Sequence, residues 1–332
     1  SQYDTQVQDF ESTVDSNDRD DDLFQSPDSL SDDAAKLLAA NPDAILIYPL
    51  VTEDRLWLLW AVAGGTVGSV EVDITQAQLA KEVQQLGSLL ASPTNLSALQ
   101  ATSQTLYSSI IAPLEKELEN NEIQQLIFVN DRVTRYIPMA ALHDGSQYLL
   151  ERYTISTVIA PDITDTQETL ASTGEPEVLG LGLTQASTGR SALPAVAKEL
   201  DSIVRSNEAD PIGIYPGQVL LDNDFTLQAM QENVEFRRIL HIATHAQFSP
   251  GKPEDSFIVL GDGSTMKIEE INKMKESLRD LHLVVLSACQ TALGGTTGDG
   301  TAIAGLSSYF LAANRAEAVI ASLWSVSDGS TS

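Results

Sequence analysis

The stretch LHLVVLSACQTALGG, Leu281–Gly295, places the chain's single cysteine, Cys289, where an apolar strand should run out. A second stretch, RRILHIATHA, Arg237–Ala246, is built the same way and brings its apolar run to an end at His245, 44 positions before the cysteine. Short, continuous runs of Leu, Ile and Val of this length read as strands buried on both faces. Around them strand and helix alternate. Working outward from Gln124, QQLIFV, YTISTVIA, EVLGLGL, SFIVLG and AEAVIASLWSV read as strands, and AVAKELDSIVRS, KIEEINKMKESL and TAIAGLSSYFLAA as helices. That alternation predicts an α/β fold with a largely parallel sheet sandwiched by helices.

In open sheets of this kind, sites form in the crevice outside the carboxyl ends of the strands. If the two strands are parallel neighbours, His245 and Cys289 emerge on one edge, and a thiol within reach of an imidazole is an activated nucleophile. The alternative is that Cys289 is a small buried hydrophobe closing a core strand, the commoner fate of a lone cysteine. His241 and His245 are four apart, a zinc spacing on a helix. On a strand the same spacing separates them by roughly 13 Å, too far to share an ion, and HIATH lacks the Glu of the HExxH pattern. His241 is therefore read as a core residue or a support behind the site. His143, in the turn ALHDG, and His282, inside DLHLVV, have weaker claims. GGTTGDGTAIAG, after Cys289, has neither the GK[ST] nor the GxGxxG spacing of a phosphate cradle and is read as a mobile loop beside the site.

The 332 residues carry 19 Lys and Arg against 47 Asp and Glu, a formal net charge of −28. That field repels phosphate backbones and anionic surfaces, so neither nucleic acid nor a membrane is an expected partner. No apolar run approaches the ~20 residues of a membrane span, and no leader pattern opens the chain. The default expectation is a soluble cytoplasmic protein. Residues 1–33 hold eleven acids and one base, Arg19, and read as an acidic disordered linker or tail. Residues 34–122 follow as an N-terminal portion. It opens with the short helix DDAAKLLAA and an antiparallel meander, AILIYPLVTEDRLWLLWAVAGGTVGSVEV, in which Trp57 and Trp60 are packing residues. Helices over about 75–90 and 97–120 complete it; the second carries Leu106, Ile110, Ile111, Leu114 and Leu118 as a core-facing stripe. Residues 123–332 form the α/β domain. The chain starts at Ser1 rather than Met and ends in SDGSTS, a helix N-cap pattern with no helix after it. It is read as a piece of a longer protein, truncated at its C-terminus.

RRILHIATHAQF, then LVVLSACQTALGG, then GLSSYFLAANRAEAVIASLWSVSD resemble the CHAT domain, a caspase-like cysteine peptidase domain often joined to tetratricopeptide repeats. LYSSIIAPLEKEL, RVTRYIPMAALHDGSQYLLERYTISTVIAP and ALPAVAKEL are similar to earlier segments of the same family, so the resemblance runs from about Tyr107 to Asp328. It implies a caspase-like sheet, with residues 34–122 as a pseudo-caspase-like half. It also implies His245 as general base and acid and Cys289 as nucleophile. The backbone N–H groups of Cys289 and Ala246 would hold the oxyanion; the family usually has Gly after the histidine, where this chain has Ala246. ASLWSVSD is also similar to the separase segment whose acids line the pocket for a basic P1 residue, which carries over to Asp328 beside Trp324. A helix cap is an equally good reading of Asp328.

The resemblance thus implies a cysteine endopeptidase that cuts a protein substrate and stays latent until a partner or a tetratricopeptide-repeat region activates it. No cofactor or metal is implied; calcium serves some caspase-like relatives, but no loop here specifies a site for it. The competing reading is an inactive caspase-like scaffold that signals by contact. A phosphate- or nucleotide-binding domain fits less well, given the acidic charge and the missing motifs.

Overall fold

The computed structural model describes residues 27–91, 94–158, 175–187, 189–247, 255–279, 281–288, 306–311 and 316–322. Among these, residues up to Val158 form one compact unit and those from Glu175 a second. Residues 1–26 of the expected acidic tail lie outside the described residues. Helix α1, Pro27–Ala40, begins before the expected start at Ala34.

In the first unit α1 leads into the meander β1 (Ala44–Val51), β2 (Leu56–Val62) and β3 (Val67–Val72), antiparallel as expected. Helices α2 (Gln76–Ala91), α3 (Leu96–Ile110) and α4 (Glu115–Asn120) follow, then β4 (Gln125–Phe128) and β5 (Thr154–Thr157). The single helix expected over 97–120 is split. Asn95 caps α3 by accepting the Ala98 N–H at 3.0 Å. Beyond Ile110, Pro113 has no N–H to give and its ring crowds the preceding turn, so the chain passes through a 3₁₀ turn, Ala112–Leu114, before α4. The stripe survives the break, because Leu106, Ile110, Ile111, Leu114 and Leu118 are all buried. They pack with Ile45, Ile47 and Val51 on one face of β1, while Leu46 on the other face meets Leu37 and Leu38 of α1. Trp60 is partly buried against the same core.

The sheet order is β3-β2-β1-β4-β5, with β1, β4 and β5 mutually parallel. The two units therefore divide after β5, differing from the 122/123 boundary expected from the sequence. The physical reason is main-chain pairing: β4 bonds to β1 and β5 to β4, so the residues just after 123 belong to the first sheet.

The second unit is the α/β part. It runs β6 (Val178–Gly182), α5 (Ala195–Ile203), β7 (Val204–Arg205), β8 (Tyr215–Leu221), α6 (Leu227–Val234) and β9 (Ile239–Thr244). Then come β10 (Ala246–Gln247), β11 (Phe257–Val259), β12 (Thr265–Lys267), α7 (Ile268–Lys273), α8 (Lys275–Leu278), β13 (Leu281–Ala288), α9 (Leu306–Leu311) and β14 (Ala316–Ala321). The main sheet has the order β14-β13-β9-β6-β8-β7, and every pair in it is parallel. The expected strand SFIVLG becomes β11, in a separate antiparallel sheet β10-β11-β12.

β8 and α6 are absent from the sequence reading, and β8 contains Pro216 and Gly217, residue types common in turns. Gly217 instead serves a close approach: a Cβ there would lie 2.1 Å from the Val178 carbonyl oxygen of β6. The centre of the sheet is covered on both faces. Leu179, Leu181, Leu240 and Ile242 pack with Met230, Ile271 and Phe310 on one side, and Ala243 packs with Val196 and Leu200 of α5 on the other. This double burial is why β6 and β9 read as unbroken apolar runs.

Candidate active site

All six residues of β9 are buried, His241 included. An imidazole inside a sheet must find a polar partner, and Glu199 of α5 supplies it, with Oε1 2.7 Å from His241 Nε2. Both side chains are less than a tenth exposed. His241 is thus a core residue that ties the sheet to α5, one of the two roles expected for it. Glu199 was legible in principle: Val196, Glu199, Leu200 and Ile203 share the helix face i, i+3, i+4, i+7, so an acid stands on an apolar stripe.

His245 follows β9 directly and lies in the single-residue break before β10 rather than inside the strand. Its ring is half-buried, and its Nε2 sits 2.8 Å from the Ser191 carbonyl oxygen. A carbonyl only accepts, so Nε2 carries the hydrogen, and in the neutral ring Nδ1 is the lone-pair nitrogen. The main chain around the ring is fixed from the next sheet. Val259 N–H donates to the His245 carbonyl at 2.8 Å, and Thr244 Oγ1–H donates to the Val259 carbonyl at 2.8 Å. Because His245 and Val259 bond, the next opposed pair, Ala246 and Ile258, is the non-hydrogen-bonded one. The Ala246 N–H therefore points away from β11 and is not used by the β10–β11 ladder.

β13 is the parallel neighbour of β9, in the register Ser287 to Ala243 and Ala288 to Thr244. That pairing meets the condition set from the sequence, that the two strands be parallel neighbours. The described part of β13 stops at Ala288. Cys289, Trp324, Asp328 and the glycine-rich segment 294–305 lie outside the described residues. Of the expected site residues, the structure thus places His245 and Ala246 together. His143 is buried in its turn, with Nδ1 accepting the Gly145 N–H at 3.0 Å. His282 in β13 pairs through Nδ1 with Glu317 of β14. Both are structural.

Two further residues at this sheet edge escaped the sequence reading. Ser191 contributes a main-chain carbonyl, which no side-chain pattern reveals. Asp222 directly follows β8, the strand that was missed. Its Oδ1 accepts the Thr184 N–H at 2.7 Å and the Gln185 N–H at 3.2 Å, and its Oδ2 accepts the Thr184 hydroxyl at 2.7 Å. Burial alone would raise the Asp222 carboxyl; the Thr184 hydroxyl and the two N–H groups outweigh it and hold the group below the usual carboxylate range. Among the described residues, no group of three or more His, Cys, Asp or Glu is placed to hold a metal ion. Among the same residues, no helix is long and apolar enough to cross a membrane.

The class these features define is an α/β protein with a parallel sheet flanked by helices and an imidazole at the carboxyl end of a central strand. The family model of the CHAT domain matches residues 100–332, and the chain belongs to that family. A comparison with curated proteins finds no match. Among solved structures, a chain of a "PilM-PilN type IV pilus biogenesis complex" is similar at 11% identity and a TM-score of 0.21. The likeness covers 41% of this chain and 42% of that one, and carries no weight for fold or function.

Proposed function

We propose that the protein is a caspase-like cysteine endopeptidase working through His245 and Cys289. The observation that carries this reading is the pairing of Thr244 with Ala288 in adjacent parallel strands. In the sequence, His245 and Cys289 are the residues that directly follow Thr244 and Ala288. The Ser191 carbonyl supports the assignment, because it takes the Nε2 hydrogen of His245 and leaves Nδ1 to exchange protons.

In the proposed reaction Nδ1 of His245 takes the thiol proton, and the thiolate of Cys289 attacks the carbonyl carbon of a scissile peptide bond. The oxyanion is held by the N–H groups of Cys289 and Ala246. The imidazolium then gives its proton to the leaving amine, and water hydrolyses the thioester. No cofactor is needed. A protein substrate with a basic P1 residue, met by Asp328 beside Trp324, is the specificity we propose. Activation by a partner or by a tetratricopeptide-repeat region, and a cytoplasmic setting, complete the reading.

The test is intact-mass labelling of the chain and its His245→Ala variant with a peptidyl-Arg acyloxymethyl ketone, with and without candidate partners. Stoichiometric modification of Cys289 that disappears in the variant is the expected result. A thiol that stays unmodified by basic and non-basic warheads alike, also in the partner-bound protein, overturns the peptidase reading and leaves a scaffold that signals by contact.

A further inference from the structure

Asp222 stands where the carboxyl end of β8 turns into the approach to α6, and it is held there in the left-handed region, at φ 50°. Its carboxylate is filled from one short stretch of chain beyond β6. Besides the three bonds described above, Gln185 Nε2 approaches Oδ2 at 3.5 Å. The same stretch is tied to β9, because Leu183 N–H donates to the Ala243 carbonyl at 3.1 Å. Thr184 then closes the loop on itself: its carbonyl accepts the Leu193 N–H at 3.0 Å. Ser191, whose carbonyl takes the His245 Nε2 hydrogen, lies two residues before Leu193. A continuous path of hydrogen bonds and short chain therefore runs from Asp222 through Thr184 and Leu193 to the imidazole.

The anchor itself has little room to shift. Phe225 N–H donates to the Asp222 carbonyl at 2.9 Å, and Gly261 N–H donates to the Phe225 carbonyl at 2.8 Å. Gly261 comes so close that a Cβ there would lie 1.8 Å from the Asp222 carbonyl oxygen.

We propose that Asp222 is a positioning residue for His245: by anchoring Thr184 and Gln185 it holds the Ser191 carbonyl at Nε2 and so fixes the tautomer in which Nδ1 is free to take a proton. Asp222 touches neither thiol nor substrate. Its catalytic value rests on the peptidase reading above, whereas its effect on the ring does not. Asp222→Asn keeps an oxygen for the two N–H groups and gives Thr184 Oγ1 a donor to accept from, so it should preserve most of the effect. Asp222→Ala removes every acceptor.

The experiment is nitrogen-15 NMR of the full chain labelled at histidine, with His245→Gln used to assign the ring. The wild type and Asp222→Asn are expected to show the Nε2–H form, and Asp222→Ala a mixture of both tautomers. Alkylation of Cys289 should slow by about tenfold in Asp222→Ala, a fraction of what proton transfer contributes in such enzymes. A folded Asp222→Ala protein with an unchanged Nε2–H signal overturns the proposal. Should that variant fail to fold, Asp222→Gly, which suits φ 50° and also lacks every side-chain acceptor, takes its place, and a wild-type ring signal there overturns the proposal equally. If Cys289 is inert in the wild type, alone and partner-bound, while the tautomer still follows Asp222, the peptidase reading fails and the positioning role stands. If Cys289 reacts but the ring ignores Asp222, the reverse holds.

Discussion

The two sheets use the same parts and end differently. In the first, Asp131 follows β4 and its Oδ2 accepts the N–H of Val51, the last residue of β1, at 3.2 Å. Arg132 beside it adopts φ 44°. In the second, Asp222 follows β8, adopts φ 50° and ties the chain beyond β6. Each sheet thus has an aspartate pinning the carboxyl end of its neighbour. Past Asp131, however, the chain folds into a 3₁₀ turn, Arg132–Tyr136, whose Val133 and Thr134 are buried. Past Thr244 it leaves a half-buried imidazole. His143 of the first unit spends Nδ1 on the Gly145 N–H, whereas the bond described for His245 uses Nε2. A parallel edge and an aspartate clamp are generic scaffolding. What makes one edge a candidate site is an imidazole directly after a central parallel strand, next to β13.

The sharpest way to break this contrast is to delete each imidazole. His245→Ala should lower the rate of Cys289 modification by about 10²–10⁴, while His143→Ala should leave that rate near wild type. Equal losses in the two would end the distinction. Phe128 in the first core and Phe225 in the second are both fully enclosed. Each truncation to Ala should therefore cost about 3–5 kcal/mol in urea unfolding, and a cost under about 1 kcal/mol at either site would mean that its core is not closed.

The buried pair of Glu199 and His241 comes next. Glu199→Leu strands the imidazole and should cost about 1–3 kcal/mol, and Glu199→Leu with His241→Leu should recover most of that loss, since replacing both partners removes the unpaired group. A double variant as unstable as the single one would show that the pair itself, and not the stranded ring, matters.

A fourth comparison is between two carboxylates held low, one per unit. Burial would raise Asp144, but the N–H groups of Gln147 and Ser146, the Ser146 hydroxyl and Arg152 outweigh it; Asp222 is lowered as described. A carboxyl whose folded value lies below its unfolded value stabilises fully above the unfolded value and loses that stability as pH falls through the folded one. Stability should therefore drop with acid below the ordinary Asp value of 3.8. Asp144→Asn and Asp222→Asn should each flatten that slope in acid titrations of urea unfolding. The smallest effect is expected at Arg55, which pairs with Asp54 and Glu71 at the surface. Arg55→Ala should shift stability by only about 0.2–1 kcal/mol.

Much of this was readable along the chain. The apolar runs of β6, β9 and β13 are continuous because both faces are covered, so their burial in a largely parallel sheet followed from the residues themselves, while the pairing of β9 with β13 did not. The meander followed from its alternation and turns. What misled was local chemistry answering to distant contacts. Pro216 and Gly217 speak for a turn, yet Gly217 is there because β6 passes too close for a side chain. At Pro113 the local signal was right and the apolar stripe misled, because the helix ends before the proline while the stripe runs on.

By itself the sequence determined the α/β class, the positions of His245 and Ala246 at a strand end, and the core stripes, because periodicity and burial are properties of residue type and spacing; the family followed from the resemblance of whole motifs. Only the tertiary structure decided that β4 and β5 belong with the meander, that Glu199 meets His241, and that a loop held by Asp222 brings the Ser191 carbonyl to the imidazole. These contacts join residues 29 to 81 positions apart, several of them through main-chain atoms. A hydrogen bond of that kind depends on where two backbones meet in space, and residue identity carries almost no record of it.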